Sequence, residues 1–179
     1  VLRLEENFGL ASLFLMRGPR EAPAEVVVVS LDKRSSDAFG LPNEPAKWPR
    51  TLHAELVERL VADGAAVIGF DVLFDNPAAV DADARLGAAL GQAGNVVLAA
   101  FLHKTNVGAS QDGRIVLSAE KLIPPVSPIA AGALAVAPFA LPVVPVRVSQ
   151  FWTFKASAGN LATFPTTVFQ AWMLRQPGE

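Results

Sequence analysis

Apolar residues in the first hundred positions fall into short unbroken runs and longer periodic ones, and the two kinds alternate as an α/β unit would require. Val26-Val27-Val28-Val29-Ser30-Leu31 is β-branched with no polar alternation, which predicts a strand buried on both faces of a parallel sheet, ending at Asp32. After Trp48-Pro49-Arg50, apolar residues recur at helical spacing through Leu52, Leu56, Val57, Leu60 and Val61, with Glu55, Glu58 and Arg59 on the other face. Gly64 stands where such a helix needs a left-handed cap. Ala66-Val67-Ile68-Gly69-Phe70 repeats the buried-strand pattern and stops at Asp71. Strand, helix and strand thus have lengths suited to a parallel crossover, and both aspartates are expected at one edge of the sheet.

A third unit follows. Asp81 to Leu86 opens a helix with acids in its first turn, which favours the helix dipole, and Leu90 continues the apolar face. Asn95 to Phe101 is a third buried strand, so this part of the chain outlines a doubly wound core. Beyond it the pattern loosens. Gly108 to Gly113 suits an exposed hairpin tip, Pro124, Pro125 and Pro128 break any long helix before Ile129, and Ile129 to Val136 is a short helix or strand. Pro142 and Pro145 flank valines as in an edge or extended segment, and Val146 to Phe154 alternates like a strand with one solvated face. At the ends, Leu4, Phe8, Ala11 and Leu15 form one stripe of a helix, and Phe164-Pro165-Thr166-Thr167 starts another whose apolar face is Phe164, Val168, Ala171 and Trp172.

Several of these strings share their order and spacing with one known family. Arg17-Gly18-Pro19, the valine run ending Leu31-Asp32 with Ser35 nearby, Trp48-Pro49-Arg50, His53-Ala54, Gly64-Ala65, Val67 to Phe74 and Asn95 to Leu98 together resemble the type-two CHASE domain. That domain is a sensory extracellular module of bacterial adenylate cyclases, histidine kinases and Ser/Thr kinases. The resemblance covers roughly residues 13–102 and weakens past His103: Asp112-Gly113-Arg114 comes too early for the family's late Asp-Gly-then-Arg segment, and only Arg147 follows. It implies one α/β domain with a mainly parallel central sheet flanked by helices, a less regular β-rich C-terminal part and membrane-proximal terminal helices. Residues 1–17 would be the membrane-proximal helix and 18–179 the sensor domain. The function implied is extracytoplasmic sensing by a homodimeric receptor held by flanking transmembrane helices. A small-molecule or protein signal would regulate a cytoplasmic cyclase or kinase.

Composition narrows the alternatives. The chain has 179 residues, 51% of them hydrophobic, enough for one domain with a sizeable core. A net charge of -2 with no basic cluster argues against nucleic acid as partner. With no cysteine there is no disulfide, thiolate metal site or cysteine nucleophile. No apolar run reaches the roughly 18 residues that span a bilayer. The sequence is therefore expected to be soluble as it stands, and the lack of an initiator methionine and signal peptide fits a piece of something longer.

Candidate chemistry centres on Asp32 and Asp71. Two carboxylates at neighbouring strand ends could hold a divalent cation, with Asp75, Asp81 and Asp83 close behind, and would then support a metal-dependent hydrolase. The structural alternative is that they cap helices or pair with Arg50. Trp48 and Arg50 could stack on or clamp a ligand, or else plug the sheet edge and bridge to an aspartate, with Pro49 starting the helix. Known catalytic templates fail: Lys33 and Arg34 occupy positions where phosphoacceptor and phosphatase motifs need acids, no glycine-rich phosphate loop follows a strand, and no serine sits in a glycine-framed turn. His53 falls among Leu52 and Leu56 and reads as a packed histidine. The chain is expected not to be an enzyme and to need no cofactor. A ligand-free dimerisation module is the third reading.

Overall fold

The computed structural model describes residues 2–109, 115–141 and 151–175, with the side chains of 2–8, 10, 106–109 and 115–119 left aside. Helix α1 (Leu2–Arg17) leads to α2 (Lys33–Phe39), a 3-10 turn at Pro45–Lys47 and α3 (Arg50–Ala62). Strand β1 (Ile68–Phe70), α4 (Val80–Ala93), β2 (Val96–Ala109), β3 (Ile115–Ile123), α5 (Ser127–Gly132) and β4 (Ala135–Pro138) form the centre. A two-stranded sheet of β5 (Phe154–Lys155) and β6 (Leu161–Ala162) precedes α6 (Phe164–Met173).

The central sheet is built on β2. Its first half pairs in parallel with β1 on one side, Ile68 opposite Val96, and with β4, Val97 opposite Ala135. Its second half turns back on β3 as an antiparallel hairpin, Phe101 opposite Ile123, with register shifts near Gly108. Because successive side chains of a strand point to opposite faces, β2 serves two cores. Val96 and Leu98 join Ala54 and Val57 of α3, Leu86 and Leu90 of α4, and Ile129 of α5 on one face. Val97 and Ala99 meet Ala137, Phe164 and Ala171 under α6 on the other. The chain is thus a single α/β domain with a mostly parallel sheet between helices, plus a small separate antiparallel sheet, as the sequence pattern predicts.

Local signals predicted well. Gly64 takes φ +87° just past α3, the Ala65 N–H reaching back to the Leu60 carbonyl, so the left-handed cap is where the apolar period ends. α4 begins with Asp81 and Asp83 in its first turn, and α6 begins with Pro165 in its own. The segment 129–136 proves to be both elements offered for it, the end of α5 and the start of β4. The strand foreseen over 95–101 runs on to Ala109, because β3 supplies a partner the local pattern did not reveal. The proposed hairpin tip lies largely, and Pro142, Pro145 and most of the Val146–Phe154 strand wholly, outside the described residues.

One expected strand is not formed. Val26–Leu31 makes no ladder with any described strand: Val27, Val28, Val29 and Leu31 line a groove that Ile68, Gly69 and Phe70 of β1 also line, and Val26, Val27, Val28 and Val29 are 60%, 81%, 82% and 48% exposed. The run carries the local signature of a buried strand, but pairing needs a partner edge to close on it, and here the run and β1 both line an open groove. Asp32 consequently does not stand at a paired strand end, and the two aspartates do not share a sheet edge in the manner expected. Among the described residues, no helix is long and apolar enough to cross a membrane.

Candidate functional site

The start of α3 is held by a buried ion pair. Arg50 donates from Nε to Asp83 Oδ1 at 3.1 Å, both side chains almost fully buried. Its Nη1 donates to the Ala46 carbonyl at 2.8 Å and Nη2 to the Asn76 carbonyl at 2.9 Å, while its guanidinium lies 4.6 Å from the centre of the Phe74 ring. Asp83 Oδ2 accepts the Ala78 N–H at 2.9 Å. One salt bridge therefore pins the turn before α3, the loop after β1 and the first turn of α4. The partner of Arg50 is Asp83, not Asp32 or Asp71. Sequence could have found it: Asp83, Leu86, Gly87 and Leu90 fall at i, i+3, i+4 and i+7, the buried stripe of α4.

Trp48 and His53 belong to the same neighbourhood. Trp48 is buried and donates from Nε1 to the Pro42 carbonyl at 2.6 Å. His53, 1% exposed, stacks on Trp48 and meets Phe70 and Phe74 edge-on, with ring centres 5.1 Å apart for the latter. Its Nε2 donates to the Pro45 carbonyl at 2.9 Å, since a carbonyl can only accept. Burial pushes the imidazole below its ordinary value and the Arg50 charge adds to this, against the Pro45 carbonyl. The unfolded chain then binds a proton more readily than the folded one, so stability falls as pH drops from about 6.5 toward the lowered native value. Melting between pH 7.5 and 5 should show this loss, at most about 1.4 kcal/mol per pH unit for one proton, and His53→Phe should flatten it. A slope unchanged in that variant would place the titration elsewhere.

The aspartates singled out from sequence are separated in role. Asp32 is the N-cap of α2: Oδ1 accepts the Ser35 N–H at 2.9 Å and the Ser35 hydroxyl at 3.0 Å, bonds that lower its pKa. Asp71 follows β1 and faces a groove of about 910 Å³. Although its side chain reaches solvent, the groove wall removes enough water to raise its carboxyl above the ordinary value. Leu56, Leu60, Ala65, Val67 and Trp172 supply apolar walls; Glu25 and Asp63 add two carboxylates, and among the described residues no lysine, arginine or histidine lines it. Neither Glu25 nor Asp63 carried a sequence signal of its own. Of the four residues expected to contact a ligand, Asp71 alone borders this groove, while Trp48 and Arg50 are buried with their polar atoms engaged. Among the described residues, no group of three or more His, Asp or Glu side chains is placed to hold a metal ion.

Comparison with known proteins relates the chain to a family. The family model described as the CHASE2 domain matches residues 1–161. No curated protein and no solved structure matches the chain.

Proposed function

The chain belongs to the CHASE2 family, whose domains are sensory rather than catalytic and generally extracellular, and on that footing we propose that it is the extracytoplasmic input domain of a bacterial transmembrane receptor. The observation that carries this reading is the family match across most of the chain. In it, a small-molecule or protein signal, or a change in dimer geometry, shifts the domain between two shapes, and the shift regulates a cytoplasmic adenylate cyclase or kinase. Such relay requires a signal that binds the two shapes with different affinity. The acidic groove bordered by Asp71 favours a cationic or neutral apolar signal over an anionic one.

These 179 residues hold no cysteine, so in a receptor whose cysteines outside them are replaced by serine a single added one reports location cleanly. Full-length protein carrying Glu55→Cys, on the exposed face of α3, should react with a membrane-impermeant maleimide in intact cells. Reaction only after lysis would sink the extracytoplasmic reading. In membranes from the same cells, a divalent cation such as Ca²⁺ that acts at the groove should change the output activity, and Asp71→Asn should weaken that response. A response identical in the variant would remove Asp71 from the signal and place the cation's action elsewhere.

A further inference from the structure

β1 is paired on one edge only among the described residues. Ile68 donates its N–H to the Asn95 carbonyl on the β2 side, and alternation along a strand then turns the N–H and C=O of Gly69 toward the opposite edge. Gly69 and its neighbours line the groove, and so do Val27, Val28, Val29 and Leu31. An unpaired strand edge invites any extended chain, and a contiguous exposed apolar row is driven to find cover. Here the extended chain and the apolar row are the same segment, already tethered beside the edge.

The groove also offers apolar cover for this segment. A run without polar alternation requires apolar cover on both faces. Leu56 and Leu60 of α3, which pack against the first core, line the groove together with Trp172 of α6, the helix over the opposite face of the sheet. The connection fits as well, since α2 and α3 between residue 31 and β1 supply the helical crossover that two adjacent parallel strands demand. Asp32 anchors the near end of the segment through its cap on α2, and the Ser35 hydroxyl donates to the Ser30 carbonyl at 3.3 Å.

We propose that residues 26–31 are a strap that closes into this groove as a parallel strand on the free edge of β1, and that the open arrangement seen here and the closed one are two states of one device. α1 ends at Arg17, so only residues 18–25 separate that helix from the strap. Docking the strap shortens the free tether of α1 and ties its position to the sheet. Use of this coupling in signalling rests on the sensor reading; closure itself does not.

Cysteine pairs test the geometry, because a disulfide forms only when the two Cα atoms come within about 7 Å. Val28→Cys combined with Val67→Cys or with Asp71→Cys brackets the register, and one pair should oxidise within a monomer. Disulfides formed only between molecules would hand the groove to a second copy and overturn the proposal, as would none in either pair. Amide exchange in the unmodified chain gives an independent reading. The Gly69 amide and those of the strap should be slowed together by about tenfold or more relative to an open chain. Val28→Asp should release them together while Ile68 keeps its protection through β2. Fast exchange at Gly69 in the unmodified chain beside a protected Ile68 would overturn closure. Failure of closure leaves the sensor reading standing, whereas labelling of Glu55→Cys only after lysis would sink that reading and leave closure intact.

Discussion

Asp83→Ala should cost this domain about 3–5 kcal/mol of stability, the range for removing one partner of a buried ion pair. The loss comes less from the missing attraction than from what remains. Arg50 would keep its charge, at 4% exposure, with two carbonyls and the face of Phe74 but no counter-ion, and the Ala78 N–H would lose its acceptor. A guanidinium cannot escape by releasing its proton. Urea unfolding at neutral pH measures the effect, and a loss under about 1 kcal/mol would mean that water reaches the pair, as it does for surface salt bridges. Replacing both partners separates charge from shape. Arg50→Met with Asp83→Leu should recover more than half of the loss, because well-packed apolar residues often substitute for a buried pair. The remaining deficit would come from the Ala46 and Asn76 carbonyls and the Ala78 N–H, which the pair now satisfies. Such a double variant would also show whether the pair is kept for stability or for holding the three loops in one arrangement, since amide exchange around residues 72–79 would rise only in the second case.

Gly132→Ala should be nearly as damaging, by about 3 kcal/mol, at the upper end of the usual overpacking range. A Cβ at Gly132 would overlap the Gly87 carbonyl oxygen and stand 2.9 Å from its carbon. The contact is reciprocal, since a Cβ at Gly87 would overlap the Pro128 carbonyl oxygen with its carbon 2.8 Å away. Here α4 and α5 touch backbone to backbone, so neither clash can be relieved by swinging a flexible side chain. The two helices would have to separate, opening the core that Leu86, Leu90 and Ile129 fill. Gly91→Ala is the matched control. It lies one turn beyond Gly87 on α4, facing the same neighbour helix, its nearest neighbour is Gly132 Cα at 4.0 Å, and alanine favours a helix interior by about 0.5–1 kcal/mol. Thermal melting of the two variants should therefore move in opposite directions. If Gly132→Ala melts like the parent, the helices are not in the close contact described.

Helices α3, α4 and α6, the left-handed turn at Gly64 and the α/β order were legible in the sequence because each rests on interactions within a few residues: an apolar period, a cap, a proline in the first turn. The family resemblance drew on the same strings, and the match over residues 1–161 agrees with it. His53 was also readable as a packed side chain, since its neighbours Leu52 and Leu56 mark the apolar side of α3. Arg50 was expected to pair with Asp32 or Asp71 rather than Asp83, although the stripe of α4 held the clue, because the pair joins positions 33 residues apart and several acids competed for the role. The extension of β2 to Ala109 and the open state of Val26–Leu31 escaped for a common reason. A strand is completed by hydrogen bonds to another strand, so its residues declare fitness for pairing while the partner edge decides where pairing occurs. By itself, then, the sequence determined the kinds of element and their order, which short-range periodicity and capping enforce. Only the tertiary structure decided which edge stayed free, which carboxylate met the guanidinium and how closely α4 and α5 could approach, because each depends on segments distant in the chain arriving at one place.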